Sequence, residues 1–146
     1  PLAEELEFVR DYLAIERARF GDRLRVVWDV DKTACATPVP GLILQPLVEN
    51  AVGHGIAPVS GGGTVRITAR LSNGSLLVEV GDDGSGLRGT PGRVIQDGHG
   101  LGNVRRRLDT MYGAAGSIEV VPAASGRGTV ARLRVPVGGA AGAGDP

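Results

Sequence analysis

The chain has 146 residues with 16 basic and 16 acidic side chains, so its formal charge is zero and nothing in the balance draws it to nucleic acid or an anionic surface. That length buries a core without staples, and Cys35, the only cysteine, excludes a disulfide framework and any cysteine-rich zinc site. No apolar stretch approaches the roughly 20 residues that cross a bilayer, and PLAEELEFVR lacks the apolar centre of a signal peptide, so a cytosolic globular domain is expected.

Leu2, Leu6, Val9 and Leu13 recur at helical spacing, with Tyr12 and Phe20 on a wider face, and predict a helix over residues 2–19. Such a helix either packs on its own domain or ends a longer dimerising helix. Because the chain opens directly in helix-forming sequence, residues 1–20 are assigned to the end of an upstream dimerisation or linker region, 21–137 to the main domain, and 138–146 to a disordered Gly/Ala-rich tail. RLRVVWDVD, residues 23–31, reads as a strand. VPGLILQPLVENAVGHG supplies a second helix whose apolar face is Leu44, Leu47, Val48, Ala51 and Val52, with Glu49, Asn50, Gly53 and His54 opposite. Pro46 either starts or kinks it.

TVRITARL and SLLVEVG, parted by SNG, form a hairpin. Residues 84–102 hold seven glycines and one proline and predict a long loop, with 87–99 expected to lack fixed contacts until a ligand gathers it. Leu101 to Tyr112 returns to helix, and SIEVVPA and GTVARLRVPV close as two strands. Helices on one face of a mixed or mostly antiparallel sheet, an α+β two-layer sandwich, is the simplest packing of these elements.

Three segments carry chemistry: LVENAVGHG, GDDGSGL and GHGLGNVRRRL. Gly98, Gly100 and Gly102 arrive at a helix start, where backbone N–H groups and the helix dipole favour a phosphate. A Rossmann loop fails because Asn103 replaces the third glycine and no strand precedes it; a Walker loop fails because Lys32 is the only lysine. Asn50 offers a side-chain carbonyl to Mg²⁺, and Glu49 could orient a water or polarise a reacting group; an ordinary solvated helix face would look the same. His54 either donates to a phosphate or caps a helix end. Asp82, at a strand end under a glycine turn, can accept from the exocyclic amine of adenine, while Gly84 and Gly86 let the backbone pass the flat base. Asp83 points elsewhere because strand side chains alternate.

In this order the segments resemble the N, G1 and G2 boxes of the GHKL superfamily, which holds gyrase-type topoisomerases, heat-shock chaperones, MutL-type repair proteins and sensor histidine kinases. YLAIERARFGDRL, VPGLILQPLVENAVGHG and GLGNVRRRLDTMYG narrow the resemblance to the catalytic and ATP-binding domain of LytS-type sensor histidine kinases, from about Leu2 to Pro136. The resemblance implies a Bergerat fold, ATP with Mg²⁺, and phosphoryl transfer to a histidine on a partner domain. It makes Glu49 and Asn50 the catalytic pair, Asn50 the magnesium ligand and Asp82 the adenine anchor. Gly84 and Gly86 complete DxGxG; Gly98, His99, Gly100, Leu101, Gly102 and Asn103 form the lid motif. His54 joins the ATP site, and Thr129 matches a late Gly-Thr beside the adenine pocket.

Two departures stand out. Gly53 replaces a residue that is often basic, which leaves one phosphate contact without its usual side chain. Pro46 stands where hydrolysing branches place a catalytic Glu, which favours transfer over hydrolysis. LytS-type kinases carry the acceptor histidine upstream, and here His54 and His99 both lie inside nucleotide motifs. The implied protein is half an enzyme in a dimeric parent, working with an upstream histidine phosphotransfer domain and indirectly with a response regulator. It is cytoplasmic, whether free or as the inner portion of a membrane sensor. A stand-alone serine kinase of the anti-sigma-factor type and a non-catalytic nucleotide-sensing module are the competing readings.

Overall fold

The computed structural model describes residues 1–84 and 100–138. Helix α1 spans Leu2–Phe20, with Glu4 and Glu5 in its first turn and Arg17 and Arg19 in its last, as the helix dipole favours. It stops at Gly21, whose φ of 62° lies in the left-handed region that glycine enters without strain. Leu2, Leu6, Val9 and Leu13 are buried in the same core as the sheet. Each fully buried aliphatic side chain contributes about 1.5–3 kcal/mol relative to exposure.

Strand β1 (Leu24–Val30) is followed by a connection and then by helix α2 (Gln45–Asn50), which widens into a π-helical segment over Ala51–Ile56. Next come β2 (Gly63–Ser72) and β3 (Ser75–Asp82), α3 (Gly100–Tyr112), β4 (Ser117–Pro122) and β5 (Thr129–Pro136). The five strands form one sheet in the order β1-β2-β3-β5-β4. β1 runs parallel to β2, a pairing that needs a crossover, and the crossover carries α2. All other pairs are antiparallel. The β2–β3 turn puts Asn73 and Gly74 at φ of 51° and 76°, the positive pair that a two-residue hairpin wants.

Alternation sets the layers. Val65, Ile67 and Ala69 of β2, Leu76, Val78 and Val80 of β3, and Ala131, Leu133 and Val135 of β5 face the helices and are buried. The opposite face is charged: Arg132 of β5 bridges Glu79 of β3 at 3.1 Å and Glu119 of β4 at 2.9 Å, and Arg70 meets Asp29 at 2.6 Å. The architecture is the expected mixed sheet with helices on one face.

The second helix differs from its sequence expectation at both ends. VPGLIL is not helical; α2 begins at Gln45, with Pro46 in its first turn, where a missing N–H is harmless. Leu42 takes a φ of 56°, and the buried Glu5 of α1 accepts the backbone N–H groups of Leu42 at 2.6 Å, Ile43 at 3.0 Å and Leu44 at 3.3 Å. Those bonds cap the approach to α2 from another element. α3 starts at Gly100, so Gly100 and Gly102 lie in its first turn rather than in the preceding loop.

Candidate nucleotide site

β3 delivers Asp82 to the end of its strand on the helix-facing side, with the carboxyl buried beneath the π-helical segment. Oδ1 accepts the Gly84 backbone N–H at 2.9 Å, and Oδ2 accepts the Thr129 hydroxyl at 2.7 Å. Thr129 lies opposite Asp82 in the β3–β5 register, so the sheet itself fixes that pair. Burial pushes the Asp82 carboxyl above the usual carboxylate range, and the bonds from Thr129 and Gly84 pull partly the other way. Asp83 turns aside and is absorbed in the fold: its Oδ1 accepts the Thr64 N–H at 2.7 Å, tying β3 to the start of β2.

Asn50 is the last residue of α2 and is half-buried. Glu49 is exposed, and its Oε1 accepts Gln45 Nε2 at 3.0 Å, one helical turn back. Gly53 and His54 are exposed on the π-helical segment. Gly84 sits against the Gly55 carbonyl so closely that a Cβ on Gly84 would overlap it. At α3, Leu101 and Gly102 are buried, Gly100 and Asn103 are exposed, and a Cβ on Gly100 would meet Pro46 Cβ at 3.3 Å. Pro46 therefore packs under the start of α3. Gly86, Gly98 and His99, with the expected mobile stretch 87–99, lie outside the described residues.

Asp82, Gly84 and Thr129 thus come together in one hydrogen-bonded group, roofed by the segment that follows Asn50. Two glycines packed against this group, Gly55 and Gly128, are absent from the site read in the sequence. Gly128 has a φ of 85°, and a Cβ there would overlap the Asp82 carbonyl, so it lets β5 start against the end of β3. The signals were present in GHG and GRGT, but a glycine's need for close approach shows only when its neighbour in space is known. A buried carboxylate held by one hydroxyl and one N–H donor is suited to an amino-substituted heterocycle.

The chain belongs to the Histidine kinase-, DNA gyrase B-, and HSP90-like ATPase family, whose profile matches residues 39–139. It is 38% identical over 122 residues to the sensor histidine kinase YpdA of Escherichia coli, covering 77% of this chain and 21% of that protein. To the sensor protein LytS of Enterococcus faecalis it is 32% identical over 146 residues, covering 94% of this chain and 25% of that protein. The chain therefore spans about a fifth to a quarter of the length of these relatives. In fold it is similar to the histidine kinase domain of a blue-light activated kinase from Erythrobacter litoralis, with a TM-score of 0.70 at 21% identity over 94% of this chain and 61% of that one. Membership of this ATPase family implies that the chain binds ATP. Among the described residues, no helix is long and apolar enough to cross a membrane.

Proposed function

We propose that this chain is the ATP-holding half of a protein-histidine kinase, presenting Mg-ATP to a histidine on an upstream dimerisation and phosphotransfer domain of the same parent. The observation that carries the reading is the buried Asp82 carboxyl, fixed by Gly84 and Thr129 at the end of β3 in a fold shared with sensor kinases. Asp82 accepts from the adenine amine and sets the base. Gly84 and Gly86 pass along the base plane. The first turn of α3, with Gly98 and His99 before it, offers backbone N–H groups to the phosphates, and His54 of the π-helical segment adds a donor.

Asn50 fits magnesium in one respect: it is a neutral oxygen donor on a half-exposed face, suited to an ion that keeps waters and phosphate oxygens as its other ligands. Bound there, the ion would neutralise phosphate charge. Glu49 holds its carboxylate beside Asn50 in the chain, ready to orient a water or polarise the incoming group. Pro46 packs under α3, and its ring gives the hydrolytic position no carboxylate, which supports transfer to protein rather than to water. In the cytoplasm, the parent would pass the phosphoryl group on to a response regulator. The relatives are sensor kinases, so the serine-kinase and sensing-module readings are not favoured. Phosphotransfer by the intact parent carrying Asp82→Asn tests this: loss of histidine labelling is expected, and full labelling would sink the reading.

A further inference from the structure

In the sequence from Leu47 to Ile56, buried pairs recur every four residues: Leu47 and Val48, Ala51 and Val52, Gly55 and Ile56. An α-helix turns once in about 3.6 residues, so over two such repeats its apolar stripe would drift by about 80° and Gly55 would leave the core face. The π-helical turn removes the drift. Its widened bond, Ala57 N–H to Val52 carbonyl at 2.8 Å, keeps Gly55 pointed inward.

What Gly55 meets there is the site. A Cβ built on it would lie 2.5 Å from Asp82 Oδ1 and 2.7 Å from Oδ2, and the three nearest atoms all belong to that one carboxyl group. Carbon contacts are comfortable only beyond about 3.5 Å. Asp82 cannot yield freely, because its two oxygens are held by Gly84 and Thr129. Gly84 is in turn packed on the Gly55 carbonyl, which closes a triangle of Gly55, Asp82 and Gly84.

We infer that Gly55 is a positioning residue for base recognition: the π-helical turn lays its bare α-carbon against the Asp82 carboxyl, and any side chain at 55 turns that carboxyl out of the plane that reads the base. The inference rests on Asp82 being the adenine anchor. It extends that reading to a residue that touches no nucleotide.

The test uses the full chain in five forms: wild type, Asp82→Asn, Gly55→Ala, Asp82→Ala, and the double variant with Gly55→Ala in the Asp82→Ala background. Binding of ATP and of inosine triphosphate, which carries an oxygen in place of the amine, is measured by calorimetry; thermal melts are recorded without nucleotide. Wild type should prefer ATP, and Asp82→Asn and Gly55→Ala should both lose that preference, with ATP affinity down about tenfold or more. A role in packing alone would weaken both nucleotides equally. In the melts, Gly55→Ala should lower Tm in the wild-type background and cost nothing over Asp82→Ala, where the obstructing carboxyl is gone. Failure of Gly55→Ala to fold alone, while the double variant folds, shows the same coupling. An equal Tm loss in both backgrounds, a double variant that does not fold, or an unchanged ATP preference in Gly55→Ala overturns the inference. Unchanged ATP binding in Asp82→Asn instead overturns the adenine anchor itself, and that arm identifies the failure by itself.

Discussion

Asp82 is held by its fold at a cost in stability. Its pKa is raised by burial, so the folded chain binds the carboxyl proton more tightly than the unfolded chain does. The charged form therefore costs stability above the folded pKa; the cost is relieved as pH falls through that value and is gone below the ordinary carboxylate pKa. Asp82→Asn should accordingly be as stable as wild type or more so at neutral pH without nucleotide, with the gap closing on acidification. Its ATP affinity should nonetheless fall sharply. Melts across the acid range, with calorimetric ATP titration of the folded variant, check both halves; a large neutral-pH destabilisation would make Asp82 a structural residue. At this scale the motif residues were legible because Asp and Gly carry distinct chemistry in a fixed order. The Asp82–Thr129 bond was not, since it depends on a register between strands 47 residues apart in sequence.

The elements themselves were largely legible, and the exceptions share one cause, which is control from outside the element. Strand alternation and the Asn73-Gly74 turn are local and appear where the sequence puts them. The start of α2 is set instead by Glu5, whose pull on three N–H groups from another helix has no local trace. Glu5→Ala should cost about 2–3 kcal/mol, because it strips a charge-assisted acceptor from buried donors. ATP affinity should fall with it, since α2 carries Asn50. Urea unfolding beside ATP titration reads both; a change under 0.5 kcal/mol would mean that water replaces the carboxylate at no loss. The π-helical turn likewise left its mark only in the four-residue spacing. Gly53 lies on the outer side of that turn, where a Cβ would meet nothing within 4 Å, so no packing demand keeps it glycine. Gly53→Lys should stabilise the chain by about 0.5–1 kcal/mol through the lost backbone freedom of glycine. It should also raise ATP affinity in a manner that fades as salt screens the new charge. Melts with and without Mg-ATP separate the effects: a Tm rise with no larger ligand-induced shift would place the phosphate contact on another residue.

At the scale of the molecule, the two faces of the sheet divide the work. The charged outer face, with Arg132 between Glu79 and Glu119 at half-exposed positions, adds little stability and leaves specificity to the other side. There α1, α2 and α3 share one core with the sheet, and the proposed nucleotide site lies where the end of β3 meets the π-helical turn. On the proposed reading the base lies against the end of β3 and the phosphates toward the first turn of α3. On that reading the chain supplies no acceptor of its own, because both its histidines lie in segments assigned to the pocket, His54 on the turn after Asn50 and His99 before α3. The chain incubated with radiolabelled ATP and Mg²⁺ should therefore bind nucleotide yet acquire no stable phosphohistidine. Adding the upstream domain that the proposed function requires should give acid-labile, alkali-stable label on that domain alone. Label retained on His54 or His99 after separation on a denaturing gel would contradict the half-enzyme reading. Binding without transfer to the upstream domain would leave a nucleotide-sensing module as the function.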